Sequence, residues 1–97
     1  MKININSIHF DSDKKLEDFI EKKISKVVER HNDITSVGVI LKLDNVSNDE
    51  NKITEIKVDL KGKEVFVKKQ SRTFEEAADI AVEALRRQLK KYKEKRQ

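Results

Sequence analysis

Ninety-seven residues, 41% of them charged, leave room for a single domain with a modest core. The chain has no cysteine, which excludes disulfide staples, thiolate metal sites and thiol nucleophiles and fits a reducing cytoplasm. The formal net charge of +4 hides an uneven distribution: residues 86–97 hold seven bases and one acid, net +6, whereas residues 1–85 hold fifteen bases and seventeen acids, net −2.

The amino terminus, MKININSIHF, alternates apolar and polar side chains and lacks the apolar block of a signal peptide. Ile3, Ile5 and Ser7 set against Asn4, Asn6 and Ile8 predict a strand over residues 2–8. Asp11, Ser12 and Asp13 offer N-cap oxygens, and Leu16, Ile20, Ile24, Val27 and Val28 follow at helical spacing. A helix is therefore predicted from Lys14 to His31, broken by Asn32-Asp33. Val37, Val39, Leu41 and Leu43 alternate strictly and predict a strand over 35–44. A polar loop over 45–51 follows, then a strand over 53–61 carrying Ile56, Val58 and Leu60. Lys61-Gly62-Lys63 signals a tight turn into a strand over 64–70.

Thr73 and Glu76 form the capping box of a last helix whose apolar stripe is Phe74, Ala78, Ala81, Leu85, Leu89 and Tyr92. The order βαβββα places the chain in the α+β class. The expected architecture is a four-stranded sheet with both helices packed side by side on one face. The other sheet face is expected to carry Ile40, Lys57, Phe66 and Lys68.

The bases of the last helix occupy two flanks. Taking Phe74 as the origin of a helical wheel, Arg86, Lys90 and Lys93 fall at about 100–160°, and Arg87, Lys91 and Lys95 at about 220–300°. Each flank is a ladder of like charge, which destabilises an isolated helix by a few tenths of a kcal/mol per pair. Capping the helix dipole needs only one or two such charges, so the excess points to a polyanion partner, most often nucleic acid. The first helix repeats the pattern: Lys22, Lys23, Lys26 and Arg30 gather on one side, and Glu17, Asp18, Glu21 and Glu29 on the other. Lys23 points almost into the apolar stripe, where a lysine stem can pack on the core edge while its charge reaches out. Two such helices side by side are expected to present their basic strips as one rigid cationic surface that contacts phosphates and reads shape more than sequence.

Chemistry is absent by type and spacing. His9 and His31 lack metal-ligand spacing, and His9-Phe10-Asp11 reads as a structural strand end. Gly38 and Gly62 are isolated and make no phosphate loop. Glu75-Glu76 and Asp49-Glu50 are explained by capping and solvation. No apolar run spans a membrane, and the alanine-rich apolar face of the last helix is needed by the core. Tyr92 continues the core stripe, while Phe66 stands on the open sheet face.

Two stretches carry a resemblance. Leu16-Glu17-Asp18-Phe19-Ile20-Glu21-Lys22-Lys23-Ile24-Ser25-Lys26-Val27 and Leu85-Arg86-Arg87-Gln88-Leu89-Lys90-Lys91-Tyr92-Lys93-Glu94-Lys95, in a βαβββα order, resemble the ribosome hibernation promoting factors. These are also called ribosome-associated translation inhibitors or sigma modulation proteins. The resemblance covers nearly all of the chain and implies a fold like a double-stranded RNA-binding domain. It implies binding to ribosomal RNA in the decoding channel of the small ribosomal subunit, with translation silenced in stress or stationary phase. By position, Lys23 and Lys26 match the family's basic positions in the first helix, and Arg87, Lys91 and Lys95 those in the last. The family's D-x-Y-x-A-I-D motif is altered here to Thr73-Phe74-Glu75-Glu76-Ala77-Ala78-Asp79, and Ala84 stands where a base is usual. With neither the second domain of long members nor the acidic tail of purely inhibitory ones, the chain resembles the short hibernation-promoting type. Any pairing of ribosomes is then expected to involve a second hibernation factor.

The expected site is thus Lys22, Lys23, Lys26, Arg30, Arg86, Arg87, Lys90, Lys91 and Lys95, with no cofactor, metal, membrane or small-molecule substrate. The rival is a protein-interaction regulator, for example of a polymerase subunit, acting through the open sheet face or an edge strand.

Overall fold

The computed structural model describes residues 3–44 and 49–95, so part of the predicted loop over 45–51 lies outside the described residues, as do Lys2 and Arg96. Its elements follow the predicted order: β1 (Ile3–Ile8), α1 (Lys14–Val28), β2 (Ile34–Leu43), β3 (Lys52–Leu60), β4 (Lys63–Ser71) and α2 (Phe74–Lys95). The strands form one mixed sheet in the order β1-β2-β3-β4. β1 and β2 are parallel, with Ile5 beside Val39, and α1 makes the crossover that parallel neighbours require. β2, β3 and β4 form an antiparallel meander. The β3–β4 turn places Gly62 at φ +82°, a left-handed conformation that glycine adopts without steric cost.

Alternation puts Val37, Val39, Leu41, Ile56, Val58, Leu60, Val65 and Val67 on one face of the sheet, all of them buried. Against them lie Ile20, Ile24, Val27 and Val28 of α1 and Ala78, Ala81, Leu85, Leu89 and Tyr92 of α2. The helices run side by side in the same direction. The rings of Phe10 and Phe74 stack 4.8 Å apart where the two helices begin. Midway along α1, Lys23 Nζ meets Asp79 Oδ1 of α2 at 2.5 Å. Asp13 caps α1 by accepting from the Leu16 amide at 2.7 Å, and Thr73 Oγ1 caps α2 by accepting from the Glu76 amide at 3.0 Å.

One boundary departs from the sequence reading. α1 ends at Val28, not at His31. The Glu29 amide still reaches Ser25 O, but the His31 amide bonds Val28 O at 3.0 Å, the shorter reach of a tightened last turn. Arg30 and His31 therefore leave the helix in a turn.

Among the described residues the core holds one orphan polar group. Thr54 is fully buried opposite Leu41, and its Oγ1 has no hydrogen-bond partner. Removing a buried, unsatisfied hydroxyl while keeping the branched shape recovers its desolvation cost, so Thr54→Val is expected to stabilise the fold by about 1 kcal/mol, measured by urea denaturation.

Candidate nucleic-acid interface

The two helices carry their bases on several surfaces. Where both run toward their carboxyl ends, a cleft of about 380 Å³ opens between them. Lys26, Val27, Arg30 and His31 line it from α1 and the turn behind it, and Arg86, Lys90 and Lys93 from α2. Lys26 and Arg30 stand one turn apart, as do Arg86 and Lys90, so two like-charged ladders face each other across an apolar floor. Acids barely compensate this charge. Glu83 reaches Arg86 at 3.8 Å, and Asp33 stands near His31 at the edge of the cleft. Glu83 and Arg86 are both more than half exposed, and such pairs stabilise little. The cleft is therefore a concentrated positive potential on a soft apolar floor.

His31 belongs to this cleft. Burial lowers its pKa below the ordinary histidine value and the Lys93 charge adds to this; Asp33 opposes the shift and Arg30 assists it.

The predicted site residues are only partly gathered. Lys26, Arg30, Arg86 and Lys90 come together in the cleft. Lys22 sits beside them in a shallow hollow shared with Asp18, Glu21 and Ser25. Lys23 is half-buried; besides Asp79, its Nζ lies 5.2 Å from the centre of the Phe19 ring. The lysine that seemed to point into the apolar stripe thus bridges the two helices. Arg87 and Lys91 are exposed on the opposite flank of α2, where Lys91 shares a depression with Lys63, Glu64, Val65, Gln88 and Tyr92. Lys95 continues that flank in sequence, but its side chain lies outside the described residues. His31 and Lys93 were absent from the predicted set. Lys93 was legible on the wheel beside Arg86 and Lys90, whereas His31 enters the cleft through the turn that ends α1. Lys63 adds a further base, with its Nζ 5.4 Å from the centre of the Tyr92 ring.

The open sheet face carries Lys57 and the half-exposed Phe66 as expected, but its charges are largely matched. Lys42 pairs with Glu55 at 2.9 Å and Lys57 with Glu64 at 3.4 Å. Among the described residues no group of three or more potential metal ligands occurs, and no helix is long and apolar enough to cross a membrane.

Comparison with known proteins agrees with this architecture. Residues 3–97 match the family described as Sigma 54 modulation protein / S30EA ribosomal protein. A ribosome hibernation promoting factor of Pseudomonas putida is 32% identical over 97 residues, covering 100% of this chain and 91% of the relative. One from Azotobacter vinelandii is 38% identical over 96 residues, covering 98% of this chain and 85% of the relative. A ribosomal subunit interface protein from Coxiella burnetii superposes with a TM-score of 0.85 at 25% identity, covering 96% of this chain and 98% of that one. The N-terminal domain of Thermus thermophilus Protein Y superposes with a TM-score of 0.78 at 26% identity, covering 95% and 99%. The chain belongs to this sigma 54 modulation and S30EA ribosomal protein family, whose members are non-catalytic.

Proposed function

We propose that this protein is a cytoplasmic ribosome hibernation factor that docks on the small ribosomal subunit and blocks translation in stress or stationary phase. The basic surface of its paired helices contacts ribosomal RNA phosphates in the decoding channel, and its body occludes the path of messenger and transfer RNA. The observation that carries this reading is the cleft in which α1, the turn behind it and α2 gather five bases, with Glu83 and Asp33 beside them, on the fold of relatives named for ribosome hibernation. Charge-assisted hydrogen bonds from Lys and Arg to phosphate are strong, and each neutralised phosphate releases counterions.

The test is salt dependence. If about five phosphates are neutralised, the logarithm of the affinity for small subunits should fall against the logarithm of salt concentration with a slope of roughly −3 to −5. An affinity that stays flat from low to moderate salt contradicts the electrostatic docking.

One observation favours the rival reading, a protein-interaction regulator. Phe66 is 49% exposed on the open sheet face, flanked by Lys57 across the strand pair and by Lys68. A face on which Lys42 is paired with Glu55 and Lys57 with Glu64 offers less to a polyanion, so it suits a protein partner better than RNA.

A further inference from the structure

The cleft contains one group whose charge can change near neutral pH. Beside the bases Lys26, Arg30, Arg86, Lys90 and Lys93 stands the imidazole of His31, a side-chain type that can gain or lose a proton in that range. We propose that the cleft is a discrete phosphate-binding site in which His31 is a protonatable ligand, so that binding an anion takes up a proton. The ligand chemistry is a short run of phosphates, from an RNA backbone or a free polyphosphate. For RNA as the biological ligand, the inference rests on the function proposed above.

Geometry carries the site. The two facing ladders present Lys and Arg donors from both helices toward one volume, and Val27 supplies an apolar floor that limits competing water. Arg30 and Arg86 can each grip a phosphate through two parallel N–H donors. A volume of about 380 Å³ accommodates a few phosphate groups with part of their hydration.

The surroundings of His31 set the coupling. From α1 and its turn come Lys26 and Arg30, from α2 come Arg86, Lys90 and Lys93, and from the turn before β2 comes Asp33. The β3–β4 turn is tied to the same place by the Lys61 amide, which donates to the Asp33 carbonyl at 3.1 Å. In the free protein, burial and the Lys93 charge favour the neutral ring over the opposing Asp33. A phosphate seated among these bases reverses the local field and accepts from a ring N–H. The imidazolium, with both nitrogens donating, becomes the favoured form. The midpoint for protonation therefore rises on binding. Affinity must rise as pH falls through the window between the free midpoint, below 6.5, and the bound one.

The probe is inorganic tripolyphosphate, and the readout is the NMR titration of the imidazole carbon-bound protons. His9, at the opposite end of α1 and about 20 Å away by helix length, is the internal control. Tripolyphosphate should move the His31 midpoint up by about one pH unit or more and leave His9 in place. Arg86→Gln/Lys90→Gln should remove the response.

In a second arm, small subunits should bind the parent up to about tenfold more tightly at pH 6 than at pH 8. His31→Gln should lose that gain. Competition between tripolyphosphate and subunits identifies RNA phosphate as the occupant, and simultaneous binding identifies a free-anion site. A His31 midpoint that ignores tripolyphosphate while subunits still bind overturns the site and leaves the proposed function standing. A pH gain that persists in His31→Gln overturns the coupling. Loss of subunit binding at every pH, with the tripolyphosphate response intact, overturns the proposed function alone.

Discussion

Arg87→Glu/Lys91→Glu is expected to lower the affinity for small ribosomal subunits by at least about a hundredfold and to abolish inhibition of cell-free translation. Each charge-assisted hydrogen bond to phosphate is worth about 1.5–3 kcal/mol, and each reversal adds a repulsion. Two such losses amount to at least about 3 kcal/mol, and each 1.4 kcal/mol is roughly a factor of ten. The fold should persist. Both side chains are exposed, and the two positions carry charges of the same sign as each other before and after reversal. Surface substitutions of this kind usually change stability by no more than about 0.5 kcal/mol each. Lys57→Glu makes the same change per site on the open sheet face, where Lys57 meets Glu64 at 3.4 Å, and should leave binding nearly unchanged. Sedimentation with subunits, alongside a thermal melt, compares the variants. If Lys57→Glu fails while Arg87→Glu/Lys91→Glu binds like the parent, docking uses the sheet face and the regulator reading gains.

Leu85→Ala should act through stability alone. Leu85 is fully buried in the middle of α2, where the helix packs on the sheet. Truncation removes its transfer free energy and leaves a cavity, a combined cost of about 3 kcal/mol within a usual range of 2–5. For a domain of this size that lowers Tm by about 12–24 °C, read by circular dichroism. Below the lowered melting range the basic surface is unchanged, so subunit affinity should match the parent there. A binding defect with an intact melt, or the reverse, separates the docking surface from the core.

Much of this fold was legible because its signals are local. Strict alternation in Val37, Val39 and Leu41, and again in Ile56, Val58 and Leu60, marks strands with one buried face whatever the tertiary context. The stripe through Leu85, Leu89 and Tyr92 marks a helix in the same way. What escaped depended on packing. The end of α1 is decided by a turn that carries Arg30 and His31 toward α2, and a helical pattern in sequence does not reveal it. Thr54 sits in phase with Ile56 and Val58, but a hydroxyl gives no apolar signal of its burial. The wheel separated the two basic flanks of α2, yet it is nearly symmetric about the core stripe. It could not show that Arg86, Lys90 and Lys93 face α1 while Arg87 and Lys91 face away. Lys23 read as a base near the core edge, and its partner Asp79 lies on the other helix. One continuous cationic surface was expected; the structure divides the bases into a cleft, a hollow beside it and an outer flank.

Occlusion is tested most directly by competition on the small subunit. Purified protein is sedimented with empty small subunits and with subunits already carrying messenger and transfer RNA, at equal salt. The proposed docking in the decoding channel predicts co-sedimentation with the empty particle and exclusion from the loaded one, relieved as the transfer RNA is washed out. Equal co-sedimentation with both particles, with the bound RNAs retained, contradicts it.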